Sequence, residues 1–472
     1  MEANPSPPQE VFQDFLVRYP DYPRTRIVDD LRRRDFSRLE RNGEVYLDYT
    51  GSGLYPETLV RRHAEWLEST VLGNPHSENP ASRASTEGVE RCRSRILDFF
   101  RADPAEYALV FTSNASHALK LVGEAYPFQT GDRFLLTFDN HNSVNGIREF
   151  DRVRGARTLY LPIGTQDLRV RSEDLEQYLG QARSDGHNLF AFPAQSNFSG
   201  VRHPLEWIPQ AQAMGWDVLL DAAAFVPTAF LDLSRWHPDF VCLSFYKMFG
   251  YPTGVGALLA RRQALRKLHR PWFAGGTIAL ASVQADCHLP ASAPACFEDG
   301  TLNFLSIPAV ESGLDLLEEV GYETLGLRTR ILTSWLLQEL LALRYANGTP
   351  LIRFYGPEDM EDRGATLALN FQDPQGQQGR PPGRRGAEPR SGRSHCAPDV
   401  SAIPARGSWP WGISAARMHA CIDESIQAPG CQDARRCLDP RGAGAVRISL
   451  GLASNFADVH ACLELARDFL DT

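Results

Sequence analysis

The sequence predicts an α/β protein built on a mostly parallel sheet with helices on both faces, followed by a smaller α+β C-terminal domain. Three observations carry that expectation. Between residue 45 and about residue 300 the chain repeats an apolar strand, a turn of small and polar residues, and an amphipathic helix. The apolar runs are short and unalternating, as strands covered on both faces are. Beyond residue 310 the pattern changes to longer helical periods and then strands. With 472 residues, 43% of them apolar, the chain can bury a large core. We divide it into an N-terminal arm (1–45), a large domain (46–309) and a small domain (310–472) interrupted by an irregular segment at 377–410.

The arm reads as polar, with one charged helix, RIVDDLRRRDFSRLE. The strand EVYLDY follows and is broken by YLDYTGSGLYP, a turn whose glycines allow backbone to approach a bound ligand. After the loop GNPHSENPASRAST and the helix EGVERCRSRILDFF comes ALVFTSNASHALKLVGEAYPF, a strand, a turn and a helix beginning near Ala115. Ser113 and Asn114 sit in that turn. Free N–H groups and hydroxyls at a helix N-terminus make a phosphate cradle, although an ordinary Ser/Asn cap reads the same way. FLLTFDNHNSVNGIREF places His141 at the next strand end, where it could stack on a ring, pass protons or simply cap. LFAFPAQSNFSGVRHPL ends a third strand in Gln195, Ser196 and Asn197; Asn197 is a hydrogen-bond donor for a phenolic oxygen or a turn residue.

WDVLLDAAAFVPTAFLDLSRWHPDFVCLSFYKMFG carries the sharpest signal. Its two apolar runs end near Asp221 and Lys247, residues that a buried strand does not need. Ligands of open α/β sheets collect at the carboxyl ends of strands, so an acid and a lysine there can face one ligand. Pyridoxal 5'-phosphate (PLP) fits them: its aldehyde needs a lysine amine, and its ring nitrogen keeps a proton only beside a carboxylate. Taken alone, Asp221 could instead cap a helix and Lys247 be a solvated charge.

Composition limits the alternatives. A net charge of -9 gives no general footprint for nucleic acid, despite a basic segment near 380–394. No apolar run is long enough to cross a bilayer, and MEANPSPPQEVFQDF lacks the pattern of a secretory leader. Nine scattered cysteines form neither a disulfide framework nor a metal spacing, so a reducing cytoplasm is expected.

Together the strand ends offer phosphate donors, an imidazole, an amide, an acid and a lysine. In these stretches the chain resembles the fold-type I PLP enzymes of aminotransferase class V, the cysteine desulfurase (NifS-like) group. AFPAQSNFSGVRHPL, DAAAF, SFYKMFGYPTGVGALL, FEDGTLNFL and GAVRISLG resemble most the N-terminal domain of molybdenum cofactor sulfurases. The resemblance covers about residues 30–373 and 411–470. It implies Lys247 as the Schiff-base lysine, Asp221 as partner of the pyridine nitrogen and His141 as the stacking residue. Ser113, Asn114 and Ser244 would hold the phosphate, and Asn197 would face the ring oxygen. Gly276 and Thr277 would reach the phosphate of a neighbouring chain in a homodimer, and Arg447 would bind the substrate carboxylate. Ala224 departs from the glutamine of many desulfurases. The implied reaction takes sulfur from L-cysteine through an enzyme thiolate, giving L-alanine and a persulfide. The acceptor would be a protein or the molybdenum cofactor, for which full-length sulfurases carry a C-terminal domain that this sequence does not include. Two other readings stay open: another class V PLP lyase or epimerase, and a PLP-binding pseudoenzyme.

The irregular segment, rich in Gly, Pro and Arg, reads by composition as disorder. It lies where the resembling sulfurases have LRTGCFCNPGA, which holds the persulfide cysteine. Codons for His395 to Arg406, read from each third base, can spell that motif residue by residue. The expectation is a frameshifted reading that resumes near Trp411 and Gly412. Cys396 then belongs to the wrong frame, and the lost thiol spans the codons of Ser401 and Ala402. Sequencing the gene and its transcript should show codons able to spell the motif, and the recoded protein should desulfurate cysteine where the chain as written does not. Codons that cannot spell it would refute the frameshift.

Overall fold

The computed structural model describes residues 7–75, 77–377, 393–395, 397–399 and 445–470. Most of the irregular segment, with the frameshift expectation and Cys396, lies outside the described residues. Strand β1 is Glu44–Tyr46. The next seven build the main sheet: β2 (Tyr107–Thr112), β3 (Arg133–Thr137), β4 (Arg157–Leu161), β5 (Asn188–Pro193), β6 (Asp217–Asp221), β7 (Phe240–Ser244) and β8 (Gly256–Arg261). Their order is β2-β8-β7-β6-β5-β3-β4, and only β8 runs against its neighbours. Crossovers through helices cover both faces of the sheet, and YALVFT, NLFAFP and FVCLS are accordingly buried at every residue. Alternate side chains feed two cores. Phe190, Phe192, Leu220 and Leu243 enter one, and Leu189, Ala191, Leu219 and Cys242 enter the other.

Beyond the sheet lie an exposed hairpin, β9 (Ile278–Ser282) with β10 (Cys287–Pro290), and then β11 (Ile352–Tyr355) and β12 (Thr366–Phe371). The short strands β13 (Arg393–His395) and β14 (Ala397–Asp399) precede β15 (Ala445–Ser449). A four-stranded antiparallel sheet, β11-β12-β15-β14, packs on the helices Tyr322–Ala342 and Phe456–Arg467. Among the described residues no helix is long and apolar enough to cross a membrane.

The N-terminal arm, which the sequence groups with the small domain, carries more helix and more buried apolar residues than its polar reading suggests. It forms the helices Gln9–Arg18, Ile27–Asp35 and Arg38–Asn42, and Phe15 and Phe36 are fully buried. Phe15 packs on Phe456 and Trp335, so the arm completes the small-domain core. Its charges are structural. Arg32 holds both oxygens of buried Asp458 at 2.6 and 3.0 Å, and Asp458 also closes a capping box with Asn455. Removing that carboxylate would leave the buried guanidinium with only the exposed Glu40 carboxylate and the Ala453 carbonyl, a loss of about 3 kcal/mol, at the low end for a broken buried pair. Asp458→Ala should therefore lower the urea-unfolding free energy by about that amount. A loss no larger than that of an exposed pair such as Arg33–Asp30 would show that the arm is not anchored there.

Candidate active site

The carboxyl ends of β5, β6 and β7 open into one cavity. Asp221 pairs with Pro193 on one side and Cys242 on the other, which brings the ends level. One carboxylate oxygen accepts the Ala223 N–H at 3.0 Å, so Asp221 does cap a turn, and this cap fixes its orientation at the cavity wall. Behind it, burial and then the Asp221 charge push the Cys242 thiol well above its ordinary range.

Lys247 lies on the one-turn helix Phe245–Phe249, directly after β7. That helix ends at Gly250 with φ 78°, and a Cβ there would come within 2.2 Å of the Tyr55 nitrogen. The glycine turn Gly51–Tyr55, expected to approach a ligand, instead packs on the lysine helix, with the Gly53 N–H donating to the Tyr246 carbonyl at 3.0 Å. Buried His63 contacts the Tyr251 hydroxyl at 2.6 Å and the Leu305 carbonyl at 2.8 Å, holding the far side of the same turn.

The opposite wall is the start of the helix Ala115–Ala125. Asn114 caps it, accepting the His117 N–H at 2.9 Å, and the Ala115 N–H donates to Ser244 Oγ at 2.8 Å. Ser116 follows in the first turn and lines the cavity. The helix dipole and these polar groups favour an anion at this end. His141 lines the third side. Its Nδ1 accepts the Ser143 N–H at 3.1 Å, which leaves the ring proton on Nε2.

The structure thus brings together Asn114, His141, Asn197, Asp221, Ser244 and Lys247, all at the cavity. Four other sequence candidates stand off its lining. Ser113 is exposed and directs both its N–H and its Oγ to His117 Nδ1, at 3.4 and 3.3 Å, because Asn114 rather than Ser113 takes the cap position. Gly276 and Thr277 form a separate turn, in which Thr277 Oγ1 donates to the Ala274 carbonyl at 2.8 Å. Arg447 sits one step back, bonded to the Asn197 carbonyl at 3.1 Å and to Asp48 at 3.0 Å. Ser116, in the same hydroxyl-bearing turn as Ser113 and Asn114, and Gln195, which the sequence reading left without a binding role, also line the cavity. Gln195 lies just past the end of β5 and Asn197 opens the turn that follows, so both sit at the strand's carboxyl end.

A buried pair supports the His141 loop: Asp139 faces His203 Nε2 at 2.9 Å, and the His203 ring stacks on Trp207. Burial raises the Asp139 pKa, but His203 and hydrogen bonds from Thr137 and Ser196 outweigh it and hold the carboxyl below the usual range.

Comparison with known proteins gives a family match and a fold match. The model of the aminotransferase class-V family matches residues 45–461. A molybdenum cofactor sulfurase of Arabidopsis thaliana is 33% identical over 96% of this chain and 58% of its own length. One from Bos taurus is 35% identical over 92% of this chain and 51% of its own. The chain therefore spans about half the length of the curated relatives it matches. Among solved structures, an apo cysteine desulfurase of Thermococcus onnurineus NA1 superposes with a TM-score of 0.71 at 21% identity, covering 94% of this chain and 98% of that one. A cysteine desulfurase of Escherichia coli gives 0.67 at 20% identity, with coverages of 94% and 98%. At these identities the two structures establish the fold.

The depressed Asp139 pKa has a sign. Its stabilising contribution is complete above the unfolded carboxyl pKa, about 4, and is lost as pH falls through the folded value. The urea midpoint should fall between about pH 5 and pH 3, and Asp139→Asn should flatten that fall. Parallel curves for the two proteins would assign the acid sensitivity elsewhere.

Proposed function

The chain belongs to the aminotransferase class-V family, and from that premise we propose that it is a PLP enzyme of the cysteine desulfurase type, taking sulfur from L-cysteine and releasing L-alanine. One observation carries the reading: Asp221 and Lys247, on neighbouring parallel strand ends, share a cavity with the N-terminal turn of the helix Ala115–Ala125. The cavity has an acid for a ring nitrogen, an amine for an aldehyde, and a helix start with hydroxyls for a phosphate. The donor set therefore fits the cofactor. The relatives named as molybdenum cofactor sulfurases support the sulfur chemistry.

When bound, PLP supplies an aldehyde that links to amines and a ring that accepts the electrons of a breaking bond. The remaining work belongs to this chain. Lys247 Nζ would hold the cofactor's aldehyde and, as an amine at the cavity wall, would serve as base for the substrate's α-proton. The Asp221 carboxylate would keep the ring nitrogen protonated. Ser116, Ser244 and the Ala115 turn would bind the phosphate, Asn197 would face the ring oxygen, and His141 would cover the ring. Arg447, held one step behind the lining by the Asn197 carbonyl and Asp48, would bind the substrate carboxylate.

Finer features belong to the same proposal. The protein would work as a cytoplasmic homodimer, with Gly276 and Thr277, which stand off their own cavity, reaching that of the neighbouring chain. Sulfur would pass to an acceptor protein or to the molybdenum cofactor. The described cysteines favour a second reading. Cys92, Cys242 and Cys462 are buried, Cys287 is exposed and Cys296 half-buried, and none of these lines the cavity. A class V lyase or epimerase needs no enzyme thiol, and a PLP-binding pseudoenzyme needs none either.

Purified protein should be yellow, and borohydride should fix the cofactor to Lys247. Fixation on another lysine would refute the site. Asp221→Ala should retain some cofactor yet lose most turnover, about a hundredfold or more, since the ring loses the charge that sustains its proton. Amino-acid analysis separates the readings: alanine with sulfide marks a desulfurase, other products mark a lyase or epimerase, and no product marks a pseudoenzyme.

A further inference from the structure

Gln195 is buried at 3% exposure, yet it lines the cavity beside Asn197. Its side-chain orientation is set from two sides. Arg202 Nε donates to Gln195 Oε1 at 3.1 Å, across the backbone bridge that pairs these two residues. A donor there requires the amide oxygen, so the NH2 end must turn the other way. On the other side a Cβ on Gly364 would fall 1.9 Å from Gln195 Oε1, so the amide lies flat against a glycine that leaves it room. Gly364 is itself tied to Gly200 by a 2.8 Å backbone hydrogen bond, and Val201 bridges Arg363. The amide is therefore clamped between the loop after β5 and the start of β12.

No carboxylate lies within ion-pair distance of Arg202 among the described residues, and its guanidinium sits 5.5 Å over the Phe225 ring. Burial, and then the charge of Arg330, bring the Arg202 pKa down to about 10, with Asp362 opposing. Arg202 thus remains a cation at neutral pH. Arg447 offers a contrast, because its charge is already committed to Asp48 at 3.0 Å. A cation bonded to an amide oxygen polarises that amide and makes its N–H groups stronger donors.

From this geometry we infer that Gln195, charged from behind by Arg202, is a binding residue for the carboxylate of the amino-acid substrate. The inference rests on the reading of the cavity as an amino-acid site. Gln195 supplies the N–H donors, Arg202 acts only through it as a positioning residue, and Gly364 leaves the space both need.

The test uses cofactor-loaded protein and two probes, L-alanine and L-alaninamide, which differ in the carboxylate alone. Binding is followed by the change in the cofactor band. The wild type should prefer L-alanine. Gln195→Glu keeps the shape, gives Arg202 an ion pair and puts a negative charge toward the ligand. It should cut the preference about tenfold or more, with an unchanged or higher melting temperature. Arg202→Met should weaken the preference less, by about threefold to tenfold, by removing only the polarisation. Should Gln195→Glu fail to fold, Gln195→Leu replaces it, with the same tenfold expectation. A preference unchanged in the variants overturns the inference. So does a variant that loses the cofactor band, since the amide would then serve the cofactor. A wild type with no cofactor band instead fails the reading of the cavity itself.

Discussion

The parallel pairing of β6 with β7 is the constraint on which the cavity depends. Leu219, Leu220 and Asp221 stand opposite Phe240, Val241 and Cys242. In a strand a slip of one residue turns every side chain to the other face. Such a slip would send Leu220 into the wrong core and turn Asp221 away from the lysine helix. Leu219 and Leu220 belong to different cores, and both are fully buried. Hydrophobic burial on two faces thus sets the position of one acid. The same register lets β7 run two residues past Asp221, so that Ser244 can accept from Ala115 while Lys247 starts its own turn of helix.

Much of this edge was legible in the sequence because its signals are local. A buried strand that ends in Asp, and another followed by Lys, announce themselves within a few residues. Asn114 was legible for the same reason, as a cap before a helical period. Ser113 was harder. Whether a hydroxyl near a helix start faces a ligand depends on which residue takes the cap, and Asn114 takes it, leaving Ser113 outside with His117 and Ser116 inside. The arm's apolar anchors were harder to read, because Phe12, Phe15 and Leu16 are sparse among charges and their partners Trp335 and Phe456 lie more than 300 residues away. Gln195 was named only as a turn residue since its meaning comes from Arg202 and Gly364, the second a tertiary neighbour.

Buried charge is used in two ways. Around the periphery it is neutralised in place, as in Arg32 with Asp458 or Arg93 with Glu298, whose carboxylate also accepts the Phe111 N–H at the edge of the sheet. Such pairs are poor net stabilisers, but breaking one is costly, so they act as registration points between elements distant in sequence. Near the cavity the balance is left open. Among the described residues Arg202 has no ion pair, the N-terminal turn of the helix Ala115–Ala125 presents its positive end, and Lys247 adds an amine. A site so supplied with donors favours anionic groups, while Asp221 provides a negative charge at the one place where a ring cation would sit.

Thiol chemistry is kept out of this framework. Burial raises Cys92 and Cys242 well above the ordinary thiol range, and partial burial raises Cys296 as well, so none of the three offers a thiolate at neutral pH. Cys242 lies directly behind Asp221, where an ionised sulfur would set two negative charges together, and the neutral thiol serves instead as core filling. Among the described residues, none of the cysteines lines the cavity that holds Asp221 and Lys247. The packing has one consequence for both kinds of group: the strand ends hold Asp221 and Ser244 at the cavity, while the strand interior keeps Cys242 in a close-packed core where its thiol stays neutral.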